Sequence, residues 1–172
     1  MRWLIWAMVL VGVVGIARVL MSATAYNPAD DWMRWAASLD LRTLEDGKHA
    51  TITGSGKAVL VTAIGTDDLA RLDQVDPSNL IEPATPKDRL VRVELDGETR
   101  RFAIFNSVAP GRWCIVMRLR GPQLDRWVDP CHGARFDLLG RALVGPTNGN
   151  LEMPEILIRR GVLYIRPENV AR

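Results

Sequence analysis

From Ser38 onward the chain is a succession of short apolar or alternating runs, each bounded by turn residues, and that punctuation most narrows what it can fold into. The clearest unit is Arg89–Leu95, Asp96-Gly97, Thr99–Asn106. Asp-Gly between two strand-like runs is a strong signal for a tight hairpin, because both central residues of such a turn need positive φ. Ser38–Leu44 alternates apolar and polar before Glu45-Asp46-Gly47, and His49–Thr53 and Ala58–Ile64 flank Gly54-Ser55-Gly56. Trp113–Leu119, Phe136–Val144 interrupted by Gly140, and Glu155–Arg159 with Val162–Arg166 about Gly161 complete the strands. Only Thr66–Leu72 reads as a helix here, with Thr66 as its cap. Asp76–Asp88, carrying Pro77, Pro83 and Pro86, reads as irregular. Many short strands without long helices predict an all-β domain of antiparallel sheets, sandwich-like or barrel-like.

The N-terminus is of another kind. Trp3 to Ala17 carries no charge, Arg18 follows, and Val19 to Ala25 is again largely apolar. At 1.5 Å per helical residue, Trp3–Ala25 would extend roughly 34 Å, enough to cross a bilayer. The expectation is one N-terminal transmembrane helix, with a cleaved signal peptide as the rival because Ala23-Thr24-Ala25 has the small-x-small form of a cleavage site. Arg2 ahead of the helix favours a cytoplasmic N-terminus. Arg18 either snorkels to the outer headgroups or faces a polar partner on a neighbouring helix, which Gly12 and Gly15 would allow to approach. Asn27-Pro28 ends the helix, and Asp30 or Asp31 could cap a short helix or turn through Trp32–Ala37. The expected organisation is an anchor over 1–25, a linker over 26–37 and one domain over 38–172.

Net charge is +2, and the charged residues are spread along the chain without a basic stripe, which argues against a nucleic-acid partner. Two cysteines, Cys114 and Cys131, are too few for a four-cysteine metal site. They are free thiols or one disulfide, and compartment decides which. There is no phosphate-cradling glycine loop and no nucleotide fingerprint after a strand. Cys131 and His132 are adjacent and so point apart, a poor catalytic pair, and the chain is not expected to be an enzyme by itself.

Residues 129–137 read Asp-Pro-Cys-His-Gly-Ala-Arg-Phe-Asp. This is similar to the second cluster-binding box of the Rieske iron–sulfur subunit of cytochrome bc-type quinol:cytochrome c oxidoreductases, Cys-Pro-Cys-His-Gly-Ser. The resemblance runs nearly end to end. Asn27-Pro28-Ala29-Asp30 is similar to the family's hinge, and Ala37–Leu41 and Lys57–Val61 fall at its first recognisable strands. Glu82-Pro83-Ala84-Thr85 with Asp88-Arg89 looks like the acidic segment before the cluster-binding half, and Gly145-Pro146 and Asn150–Pro154 match the proline loop and following strand. The resemblance implies a membrane helix, a hinge and a domain of antiparallel sheets.

It also implies a [2Fe–2S] cofactor, held by two thiolates on one iron and two imidazoles on the other. Here the positions depart from the family. Ser107–Cys114 aligns with the first box, Cys-Thr-His-Leu-Gly-Cys, so that Ala109 replaces a ligand Cys and Gly111 a ligand His. In the second box Asp129 replaces the other Cys and only His132 remains. Ala134 and Phe136 stand where the family often places hydrogen-bonding Ser and Tyr. Cys114 and Cys131 fall on the family's disulfide cysteines, and their bridge would close a loop of about 17 residues. No arginine pair precedes the apolar stretch, so export in the unfolded state is the expectation.

The implied protein is a membrane-anchored, Rieske-like, non-redox accessory subunit without a cluster. Its expected partners are the membrane and the cytochrome b, cytochrome c1-like and active Rieske subunits of an oxidoreductase or a respiratory or photosynthetic supercomplex. Its expected location is the cytoplasmic membrane, single-pass, with the domain periplasmic. The alternatives are an electron carrier with atypical cluster ligands, and a free periplasmic binding module released after Ala25. His132 is read as a satisfied or solvent-facing histidine, against a relic ligand, a quinone contact or half of a metal site with Asp129. His49 is read as without functional role. Trp3 with Trp32 or Trp35 would mark the membrane interface, while Trp113 and Trp127 would either fill the space of the cluster or take ordinary core and surface roles.

Overall fold

The structure, a computed structural model, describes residues 3, 6, 8, 11–18, 36–54, 57–119 and 126–166. The chain divides into two compact units, Met1–Trp35 and Ala36–Arg172. In the first, the described residues are helical, and Trp3, Trp6, Val11, Val13, Val14 and Ile16 are exposed. No helix among the described residues is long and apolar enough to cross a membrane. Much of the expected anchor, the hinge at Asn27–Asp31 and Trp32 to Trp35 lie outside the described residues, and Ala36 and Ala37 are not helical.

The second unit is built of antiparallel sheets, as the turn-punctuated pattern predicts. β2 (His49–Gly54), β3 (Lys57–Ala63), β5 (Glu98–Asn106) and β4 (Leu90–Leu95) form one sheet in that order. β1 (Ser38–Asp40), β11 (Val162–Ile165) and β10 (Ile156–Arg159) form a second, and β6 (Met117–Leu119), β7 (Arg126–Val128), β8 (Arg135–Phe136) and β9 (Ala142–Val144) a third.

The first sheet is buried on both sides. Side chains alternate across a strand, so Val59, Val61, Phe102 and Ile104 enter one core with Leu163 and Ile165. Leu60, Ala103 and Phe105 enter the other, with Trp127, Phe136 and Leu138. Burial on both faces is why β3 reads as an apolar run rather than an alternation. The Asp96-Gly97 turn has φ 53° and 88° at its two residues, the paired positive values that the hairpin demands.

Several local expectations change. The Ser38–Leu44 strand stops at Asp40, whose carboxylate caps Arg42 N–H and starts a 3-10 turn over Leu41–Thr43 with Leu41 fully buried. The helix Thr66–Leu72 is capped by Gly65, not Thr66, which is already helical. The stretch read as irregular contains a 3-10 turn, Pro77–Asn79, and a helical turn, Pro86–Arg89, closed by a Thr85/Asp88 capping box. Trp113–Leu119 is strand only from Met117, and Phe136–Val144 is two strands joined by a turn.

One buried ion pair joins these pieces. Arg141, fully buried, donates from Nε to Asp137 Oδ2 at 2.6 Å, from Nη2 to Leu72 O at 2.9 Å and from Nη1 to Ala84 O at 3.3 Å. Burial pushes the Asp137 carboxyl up, against the pull of Arg141 and of the Arg141 and Leu139 N–H groups. Replacing Arg141 by Met leaves a buried carboxylate without its cation, and is expected to cost about 3–5 kcal/mol in denaturant unfolding. Adding Asp137→Asn to Arg141→Met should recover part of that loss.

Candidate functional site

Three loops meet beside the core that contains Trp127. The first leaves β5 directly: Ser107 N–H donates to Ala58 O at 2.8 Å, and Val116 N–H returns to Ser107 O at 2.8 Å. Between them Ala109 N–H bonds Cys114 O at 3.0 Å and Arg112 N–H bonds Ala109 O at 3.1 Å, folding residues 109–114 into a tight reversal. Ala109 is buried, and Gly111 takes φ 68°. A Cβ at Gly111 would lie 2.2 Å from Asn148 Nδ2, so a side chain there would have to displace that amide and adopt a disfavoured φ.

The second loop is braced from within. Asp129 is fully buried, and its Oδ1 accepts from Cys131 N–H at 2.8 Å and His132 N–H at 3.2 Å. Its Oδ2 receives the imidazole Nδ1 of His132 at 2.8 Å. Gly133 N–H closes the bend onto Asp129 O at 2.8 Å. An aspartate binding backbone N–H groups two and three residues ahead makes a side-chain turn. Burial pushes the Asp129 carboxyl up, but the bonds from His132, Cys131 N–H and His132 N–H outweigh it and hold the group below its ordinary range.

A disulfide between Cys114 and Cys131, Cα atoms 6.2 Å apart and 17 residues apart in sequence, ties the two loops together. Cys114 Sγ, Cys131 Sγ and an Asp129 oxygen lie within 4.8 Å of one another. Both sulfurs are bonded to each other, so neither is a thiolate able to bind metal. The third loop, after the cis Gly145–Pro146 bond, is held by Glu82, which accepts Asn150 N–H at 2.7 Å. Arg89 reaches from the helical turn to Leu139 O at 3.1 Å and to Leu151 O.

The four positions singled out in the sequence thus fall on two disulfide-linked loops, Ala109 and Gly111 on one and Asp129 and His132 on the other. His132 is a hydrogen-bonded, partly exposed histidine. His49 has two neighbours the sequence did not suggest, Arg118 Nη1 at 3.1 Å and the Trp127 ring, edge-on at 5.3 Å. Trp127 is core, edge-on to Phe105 at 5.7 Å. Trp113 is fully exposed and fills no interior space. An open cleft of about 830 Å³ runs between the first loop and Asn150–Glu152, with Lys57, Pro110 and Trp113 among its walls.

The donor set does not fit a [2Fe–2S] centre. Ala109 and Gly111 carry no donor atom, Cys114 and Cys131 are consumed by the disulfide, and what remains is one carboxylate bonded to one imidazole.

No family model matches the chain. The "Ubiquinol-cytochrome c reductase iron-sulfur subunit" of Rickettsia felis is 30% identical over 129 residues, covering 74% of this chain and 70% of that protein. The protein of the same name from Rhodospirillum rubrum is 28% identical over 158 residues, covering 88% of this chain and 82% of its own length. The "Cytochrome b-c1 complex subunit Rieske, mitochondrial" of Candida albicans is 28% identical over 153 residues, covering 83% and 68%. A solved chain of a "Hyperthermophilic respiratory Complex III" covers 92% of this chain and 96% of its own at TM-score 0.47 and 18% identity.

Two outcomes follow from the braces. Reducing the disulfide, or Cys114→Ser, should lower stability by about 3 kcal/mol in denaturant unfolding of the full chain in detergent. Asp129→Asn should cost about 1–3 kcal/mol at neutral pH, by weakening bonds to a charged acceptor. Because folding depresses the Asp129 carboxyl, its contribution is present above the ordinary value of 3.8 and lost as pH falls below it, so the two unfolding curves should converge in acid.

Proposed function

The chain belongs to the family of Rieske iron–sulfur subunits of ubiquinol–cytochrome c reductase, and from that membership we propose that it is a subunit that carries no cluster and transfers no electrons. It serves as a membrane-anchored structural or regulatory component of a quinol:cytochrome c oxidoreductase, or of a supercomplex containing one. The observation that carries this reading is the mismatch of the donor set: the ligand positions hold Ala109, Gly111 and Asp129, while the disulfide and the surrounding loops remain.

The chemistry supports it. Iron in such a centre is held by thiolate and imidazole donors, and a single Asp–His pair cannot satisfy two irons. The loops do not need metal to close their bends, since Asp129 and the disulfide do so from within the chain.

Placement in the membrane rests on the apolar stretch Trp3–Ala25, whose described residues are helical, with the large side chains among them exposed. The proposed arrangement is a single span in the cytoplasmic membrane with the β domain periplasmic, beside the cytochrome b, cytochrome c1-like and active Rieske subunits. Disulfide formation agrees with a compartment outside the cytoplasm.

The test is purification from native membranes in mild detergent, with iron content, reduced-state EPR and co-purifying chains recorded together. The expected result is sub-stoichiometric iron, no Rieske signal from this chain, and co-purification with cytochrome subunits. A stoichiometric [2Fe–2S] signal intrinsic to the chain would overturn the reading and make it an electron carrier with atypical ligands.

A further inference from the structure

We propose that the outer face of the β6–β7–β8–β9 sheet, with Trp113 at its margin, is a docking surface for an anionic lipid bilayer. The alternation leading into β6 carries the argument. Cys114 and Val116 are buried, whereas Trp113, Ile115, Met117 and Leu119 are exposed at 101%, 59%, 62% and 55%. Four large apolar side chains at every second position are therefore uncovered, two of them on β6 and two on the segment leading into it.

The register extends this side across the sheet. Met117 pairs with Val128, Val128 with Arg135 and Arg135 with Val144, while Leu119 pairs with Arg126. The opposite face presents Trp127, Phe136 and Ala142 to the core. Ile81, also exposed, bonds through its N–H to Ala142 O and so lies beside β9. An exposed face this rich in large apolar side chains on a folded domain marks an interaction site.

Its charge selects the occupant. The described residues of the face include Arg126 and Arg135 and no Asp or Glu, and Arg112 adjoins Trp113. None of the ion pairs among the described residues involves these three arginines. A second copy stacked face to face would set arginine against arginine. An anionic leaflet offers what the face lacks: phosphates for the guanidinium groups and an acyl boundary for Trp, Ile, Met and Leu. The inference goes beyond the proposed function and takes from it only residence in a membrane, which would hold the domain at high local concentration near lipid.

The experiment uses the full chain in nanodiscs of phosphatidylcholine, with or without phosphatidylglycerol. Subtracting the emission of Trp113→Phe from that of the parent isolates Trp113 from the other tryptophans. In anionic discs that difference signal should be quenched by nitroxide-bearing lipid and shielded from acrylamide. Both effects should fall several-fold in neutral discs and in Arg126→Gln/Arg135→Gln. Met117→Ser/Leu119→Ser should reduce them likewise, and since these four side chains lie outside the core, each variant should keep cooperative unfolding as a check on folding. Equal acrylamide access in both discs would overturn the proposal. So would shielding that arises only when cytochrome subunits are co-reconstituted, which would assign the face to protein. Iron content is read separately, so a chain that carries a cluster yet docks would refute the proposed function and leave this inference standing.

Discussion

Burial of the β2–β3–β5–β4 sheet on both faces is the constraint from which the rest of the domain follows. β3 and β5 divide their side chains between two cores, and each core needs its own cover: β1, β11 and β10 on one side, the β6–β9 sheet on the other. The loops inherit this geometry. The first leaves β5 at Ser107, which bonds back to β3 at Ala58, and Asn106 N–H bonds Glu152 O at 2.7 Å, fixing the return from the third loop. The position of the candidate site is thus set by packing well away from it.

How far the sequence discloses this depends on how local the cause is. The Asp96-Gly97 hairpin was legible because its turn chemistry lies in two adjacent residues, and β3 because burial on both faces leaves a plain apolar run. Gly65 was not legible as a cap, since Thr66 is the better capping residue by type and only the backbone path decides between them. β7 escaped notice because Arg126-Trp127-Val128 is three residues long, follows Gly121-Pro122, and owes its pairing to β6 and β8 rather than to propensity. Arg141, charged and beside Gly140, gives no hint in sequence that it is wholly buried; its partners Leu72 O and Ala84 O come from distant segments.

The site divides in the same way. The pairing of Cys114 with Cys131 followed from the family resemblance, and the structure contains it. What substitution had put in place of a ligand did not. Asp129 looked like a lost cysteine, yet it organises its loop through two N–H groups and an imidazole. The signal was present, since Asp-Pro-Cys-His-Gly is itself turn-forming, but comparison with a metal-binding box drew attention to what was missing rather than to what had arrived. Trp113 likewise suggested filling of vacated space, and its complete exposure turns it outward instead.

The internal brace at Asp129 has a consequence for how such a protein is made. A loop shaped by coordination must wait for its ion, and a chain that must receive a cluster before translocation has to fold first. Here the bends close with bonds that the polypeptide itself supplies, and the disulfide ties the two loops together. On the proposed cluster-free reading, maturation of this domain would be uncoupled from iron–sulfur assembly, because the bonds that shape the loop are the chain's own.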